Sequence, residues 1–109
     1  MVQKVDFIPI DSSLCPYNFS IRLNDRTYRF TVKWNTEVFF TLDLQDSMGN
    51  YLIIGEPVLY GQQLFTSHEN EKFPLPAIYP LALLDPSVTE ITFDNFGKDV
   101  KLYLYPRVT

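Results

Sequence analysis

One cysteine (Cys15), one histidine (His68) and one tryptophan (Trp34) occur among the 109 residues, and glycine is limited to four positions. A lone thiol excludes an internal disulfide framework and fits a reducing compartment. A zinc site normally takes several His or Cys ligands at matched spacing. His68 has only Glu69 and Glu71 beside it, on a polar stretch that reads as a solvated loop. No metal and no cofactor is therefore expected. Basic residues are also sparse, with nine Lys and Arg against thirteen Asp and Glu and a formal net charge of -4. They are scattered singly, which argues against a nucleic-acid partner and against a polybasic membrane-binding segment. No apolar run approaches the roughly 18 residues of a membrane-spanning helix. Asp6 interrupts the apolar stretch that a cleaved secretory leader would need, so export by such a leader is not expected.

Aromatic and aliphatic residues are plentiful. Hydrophobic residues make up 46% of the chain and aromatics 16%, enough for one core, and the length fits one domain over residues 1–109. Apolar residues recur with period two between turn signals, which predicts strands and no helix. Val5, Phe7, Ile8 and Ile10 form an opening strand, followed by a connection from Pro9 to Pro16 that contains Cys15. Tyr17, Phe19, Ile21 and Leu23 alternate up to Asn24-Asp25, and Tyr28, Phe30, Val32 and Trp34 alternate back. A two-residue turn there sets Ile21 opposite Tyr28, Phe19 opposite Phe30 and Tyr17 opposite Val32. A slip of one residue would turn Arg22, Arg29 and Lys33 inward, so the pattern selects its own register.

Val38, Phe40, Leu42 and Leu44 open a second hairpin that turns at Asp46-Ser47-Met48-Gly49 and returns over Tyr51–Ile54. A type I turn with Gly49 left-handed would place Leu44 opposite Leu52 and Leu42 opposite Ile54. Short strands are predicted at Val58–Tyr60 and Leu64–Phe65, then a long Pro-rich loop at about 67–80 containing Pro74, Pro76 and Pro80. Leu81–Leu84 and Val88–Phe93 read as further strands, and Val100–Tyr105 as the last. The fold class is all-β: a small antiparallel β-barrel or β-sandwich built from hairpins.

No arrangement of residues stands out as catalytic, and the chain is not expected to be an enzyme. Cys15 has no local signature of a nucleophile and reads as a small, partly buried thiol. Ser12 and Ser13 lack a nucleophile elbow. Asp43, Asp46, Glu37 and Glu56 could be imagined as paired acids, but alternation puts Asp43 on the solvent side and Asp46 in a turn. Trp34 continues the inward register and reads as core. The surface predicted to meet partners is Phe73 and Tyr79 on the Pro-rich loop, with Tyr103 and Tyr105 on the outward side of the last strand. The competing assignment folds the loop aromatics back as a lid, and makes the strand tyrosines ordinary sheet cover.

The order of motifs adds specificity: Pro16-Tyr17-Asn18-Phe19-Ser20-Ile21, the turn from Leu23 to Tyr28, Phe30-Thr31-Val32-Lys33-Trp34-Asn35, Thr41-Leu42-Asp43-Leu44, Gly49-Asn50, and the closing Val100–Tyr105. This arrangement resembles a family of contractile-tailed phage and prophage proteins that includes the cyanophage baseplate plug protein. The resemblance implies a structural subunit of the virion tail baseplate or its central hub. Its partners would be other baseplate, hub, tube or spike proteins, met in several copies around the tail axis, and it implies no catalytic residues. The residues alone leave a second reading open, a ligand-binding β-module such as a carbohydrate-binding domain.

Overall fold

A computed structural model describes residues 6–35, 39–66, 73–74 and 76–105. Among these the chain is all-β apart from a single 3₁₀ turn at Ser12–Leu14. The strands are β1 (Phe7–Ile8), β2 (Tyr17–Leu23), β3 (Arg26–Asn35), β4 (Phe39–Asp46), β5 (Tyr51–Val58), β6 (Ala77–Leu81) and β7 (Lys101–Tyr105). They form two antiparallel sheets, ordered β2-β3-β4-β5 and β1-β7-β6. No closed barrel is formed among the described residues. One cluster of buried side chains draws on both sheets, joining Phe30, Val32, Phe40, Leu42 and Leu44 to Ile8, Ile78 and Leu102.

The first hairpin has the predicted register: Ile21 faces Tyr28, Phe19 faces Phe30 and Tyr17 faces Val32. Asn24 and Asp25 both have positive φ, 52° and 69°, as a two-residue hairpin turn requires. Tyr28, Phe30 and Val32 are at most 2% exposed, and Phe40, Leu42 and Leu44 fully buried, so alternation correctly named the inner face of β3 and β4.

The second hairpin turns as predicted but pairs differently. Gly49 has φ 88°, its N–H bonds to the Asp46 carbonyl at 3.1 Å, and the Asp46 carboxylate accepts from the N–H groups of Met48 and Asn50, both at 2.9 Å. Leu44, however, faces Ile53 rather than Leu52, and Leu42 faces Glu56 rather than Ile54. Two register shifts, one between Leu42 and Leu44 and one between Leu44 and Gln45, each add a residue to β5, and Gly55 at φ 75° accommodates the first. Ile54 is consequently 68% exposed. β5 also continues through Gly55 and Pro57 to Val58 instead of stopping at Ile54, which a proline permits because β5 is an edge strand.

The remaining departures lie C-terminal to β5. No strand forms at Val58–Tyr60 beyond the end of β5, or at Leu64–Phe65, although Leu64 and Phe65 are both 2% exposed. The expected loop ends early, since Ala77–Leu81 is strand β6 with Pro80 inside it, while residues 67–72 and 75 lie outside the described residues. Leu81 closes β6, and turns replace the strands expected over the rest of Leu81–Leu84 and at Val88–Phe93. There Thr92 and Asn95 bond reciprocally, N–H to Oδ1 at 2.8 Å and N–H to Oγ1 at 3.1 Å, and Asn95 Nδ2 donates to the Glu90 carbonyl at 3.0 Å. These local side-chain bonds occupy backbone groups that a ladder would need. The opening strand is shorter than expected, two residues paired with β7, and Val5 lies outside the described residues.

Candidate functional site

Alternation along β7 and β6 divides the three-stranded sheet into two faces. Ile78, Leu102 and Ile8 point into the shared core, while Tyr79, Tyr103, Tyr105 and Phe7 take the opposite face. Tyr103, on the central strand, stands between Phe7 and Tyr79 in register. Its ring meets Phe7 edge-on at 6.1 Å, and Tyr79 meets Tyr105 edge-on at 5.8 Å. Lys101 caps this face, its ammonium 4.3 Å from the centre of the Phe7 ring, a cation–π distance.

Of the four aromatics singled out for partner contact, the structure therefore brings three onto one face. Tyr79 and Tyr105 are half-buried, but Tyr103 is only 6% exposed because its neighbours flank it on both sides. Phe73 lies elsewhere: it is 5% exposed, belongs to the core cluster and packs on Phe65 at 6.3 Å. Phe7, 41% exposed, was missed as a member of the face, and so was Lys101. The signal for Lys101 was present, because it shares the period-two phase of Tyr103 and Tyr105.

Tyr79 is held from behind. Its hydroxyl donates to Gln63 Oε1 at 3.1 Å, and the adjoining segment is tied to β6 by Gly61 N–H to the Pro80 carbonyl and Leu64 N–H to the Ile78 carbonyl, both 2.9 Å. Phe65 sits at φ 61°, a conformation rare for a bulky residue. Its N–H donates to the Glu56 carboxylate, while its ring meets Phe30 at 5.9 Å. Glu56 is thus a structural anchor between β5 and the 61–66 segment.

The other acids have structural duties too. Asp43 was expected in solvent, but it is 3% exposed. The outward phase is right, since Asp43 pairs with Thr31, yet the β5 bulge brings the Gly55 N–H onto its carboxylate at 2.8 Å and Lys33 Nζ closes in at 2.8 Å. That carboxylate, by hydrogen bond and by charge, pushes the Lys33 ammonium above its usual range. Cys15 is half-buried, and burial, with a smaller push from the Asp11 charge, raises its thiol above the usual value and disfavours the thiolate. Ser13 donates to the Asp11 carboxylate from both N–H and hydroxyl, closing the 3₁₀ turn. Trp34 is half-buried and packs on Phe40 at 4.6 Å and Phe93 at 5.5 Å. Glu37, His68, Glu69 and Glu71 lie outside the described residues. Among the described residues there is no group of three or more His, Cys, Asp or Glu placed to hold a metal, and no helix long and apolar enough to cross a membrane.

No curated protein and no solved structure matches the chain. A family model does: residues 5–107, nearly the whole chain, match the family described as "Cyanophage baseplate Pam3 plug gp18". The chain belongs to that family of phage-tail baseplate plug proteins.

Proposed function

We propose that this chain is a non-catalytic structural subunit of a contractile tail's baseplate or central hub. It is made in the host cytoplasm and assembles in several copies around the tail axis with baseplate, hub, tube or spike proteins. The observation that carries this reading is the family match across residues 5–107. The outer face of the three-stranded sheet supports it, because Phe7 offers an apolar ring and Tyr79 and Tyr105 amphipathic ones, their backs already packed. Such rings contribute contact area at low entropic cost and are enriched at interfaces. We assign partner contact to these three, with Tyr103 packed between Phe7 and Tyr79 on the same face.

The test is a phage carrying Tyr79→Ala together with Tyr105→Ala. The purified domain should melt within a few degrees of the native protein, as half-exposed rings contribute modestly. Purified tails should contain less of the subunit, and infectivity should fall. Absence of the native subunit from purified tails would defeat the baseplate reading; normal incorporation of the double variant would defeat only the assignment of the face.

A further inference from the structure

The edges of the two sheets are not equivalent. β1 is two residues long, β5 carries Pro57 and two register shifts, and β6 is lined by the 61–64 segment. Each of these devices blunts an edge against further pairing. β2 has none of them: it is seven residues long, edges its sheet, and contains no proline, lysine or bulge. In a two-residue hairpin the flanking pair, Leu23 and Arg26, exchanges both backbone bonds, so Tyr17, Phe19 and Ile21 also bond to β3. The N–H and C=O groups of Asn18, Ser20 and Arg22 therefore point away from β3. No backbone partner for these groups occurs among the described residues.

Beside this edge lies a groove of about 480 Å³ lined mainly by Pro9, Ile10, Tyr17, Phe19 and Ile21. The opposite side of the strand is basic. Arg22 is exposed and only loosely paired, 3.6 Å from the still more exposed Asp25, and Arg29 stands exposed across from Ser20. In an acidic chain this is a local reversal of sign. A long arginine can reach across a small neighbour such as Ser20 to the edge.

We infer that the β2 edge receives an extended strand from a partner protein, with apolar residues turned into the groove and Asp or Glu turned toward Arg22 and Arg29. Main-chain bonds to Asn18, Ser20 and Arg22 supply affinity, and the two faces supply register and sign. A second copy of this chain fits less well, since antiparallel β2 edges would bring two sets of arginines onto one face. The inference deepens the assembly reading by naming one contact surface. It can fail while the subunit still enters tails.

The experiment measures amide hydrogen exchange on the full chain with an end-capped peptide of about seven residues alternating isoleucine and glutamate, a length matched to strand addition. Exchange at Asn18, Ser20 and Arg22 should slow by about tenfold at saturation, as expected for edge amides that gain partners. A peptide with lysine in place of glutamate should bind about fivefold more weakly, the size of one or two exposed charge pairs. Ser20→Pro should abolish the response with the fold intact, because an edge strand tolerates proline where the N–H faces outward. Arg29→Glu, which leaves Arg22 opposed by a new negative charge, should erase the preference between the peptides. The native exchange pattern decides the matter even if the proline variant fails to fold. No slowing, slowing at β5 or β6 instead, or equal binding of both peptides by the native chain would overturn the inference. So would slowing produced by protein concentration alone, which would make a second copy the occupant.

Discussion

The hairpins of β2–β4 and the stretch from Leu59 to Phe96 both bury large apolar side chains, by different means. In the hairpins Phe19, Phe30 and Val32 reach the core through a regular ladder whose turn and alternation lie within a few residues of each other. In the second stretch Leu64, Phe65, Ala82 and Phe96 are buried without a continuous ladder, held by single hydrogen bonds, such as Leu64 N–H to the Ile78 carbonyl, Phe65 N–H to the Glu56 carboxylate and Ala82 N–H to the Tyr60 hydroxyl, and by rings such as Phe40, 4.6 Å from Phe96. A ladder spreads its stability over many equivalent bonds; a tether concentrates it in a few.

Phe30→Ala is the substitution with the largest expected effect. The ring is fully buried, stacked on Phe19 at 5.6 Å and edge-on to Phe65, where both regions meet. Its removal should cost about 3–5 kcal/mol in denaturant unfolding. A loss below about 1 kcal/mol would mean that the ladder closes over the cavity and the contrast between the regions is weaker than argued.

Two glycines sharpen the comparison. A Cβ at Gly97, φ 90°, would run into the Ile10 carbonyl, whereas one at Gly49, φ 88°, meets nothing within 4 Å. Gly49→Ala should cost about 1–2 kcal/mol, the left-handed penalty alone. Gly97→Ala should cost clearly more, since backbone must also move. Equal melting temperatures for the two variants would show that the 82–99 stretch yields freely and is not closely packed against the N-terminal segment.

Glu56→Ala removes the acceptor that holds Phe65 in its left-handed conformation. An expected loss of about 1.5–3 kcal/mol follows from a hydrogen bond to a charged group. The informative readout is where exchange accelerates: amides of 61–66 should open while those of β3 keep their protection. Uniform acceleration would make the tether part of the same cooperative unit as the hairpins.

The smallest effect concerns pH. Hydrogen bonds from the Ser87 hydroxyl and N–H hold the Asp85 carboxyl below its ordinary value. A lowered folded-state value means the contribution is present above the ordinary carboxylate pKa and is lost as pH falls through the folded value. Ser87→Ala should move the Asp85 titration upward in a carboxyl NMR experiment and leave neutral-pH stability almost unchanged. An unmoved titration would mean that Ser87 does not organise that turn.

Legibility followed the length scale of the interaction. The β2–β3 register could be read because inward apolar residues and outward Arg22, Arg29 and Lys33 admit one alignment across a two-residue turn. The β4–β5 register could not, because Leu52 and Ile54 alternate as convincingly as the bulged arrangement that Gly55 allows. At the candidate site, the outward phase of Tyr103 and Tyr105 was legible from Leu102 and Leu104. The depth of Tyr103 was not, since it depends on Phe7 and Tyr79 arriving from remote strands.

What the sequence by itself determined was the all-β class, the first hairpin with its register, the turn at Asp46–Gly49 and the faces of the last strand. These rest on period-two patterning and local turn chemistry, which act between near neighbours. Tertiary structure alone decided that Asp43 is buried, that Phe65 is held left-handed by Glu56, and that Ala77–Leu81 rather than Val88–Phe93 becomes the strand beside β7. Those outcomes depend on which groups meet across the fold: a carboxylate needs the Gly55 N–H and Lys33 before it can leave water, and a strand needs an edge with unpaired backbone before it can form.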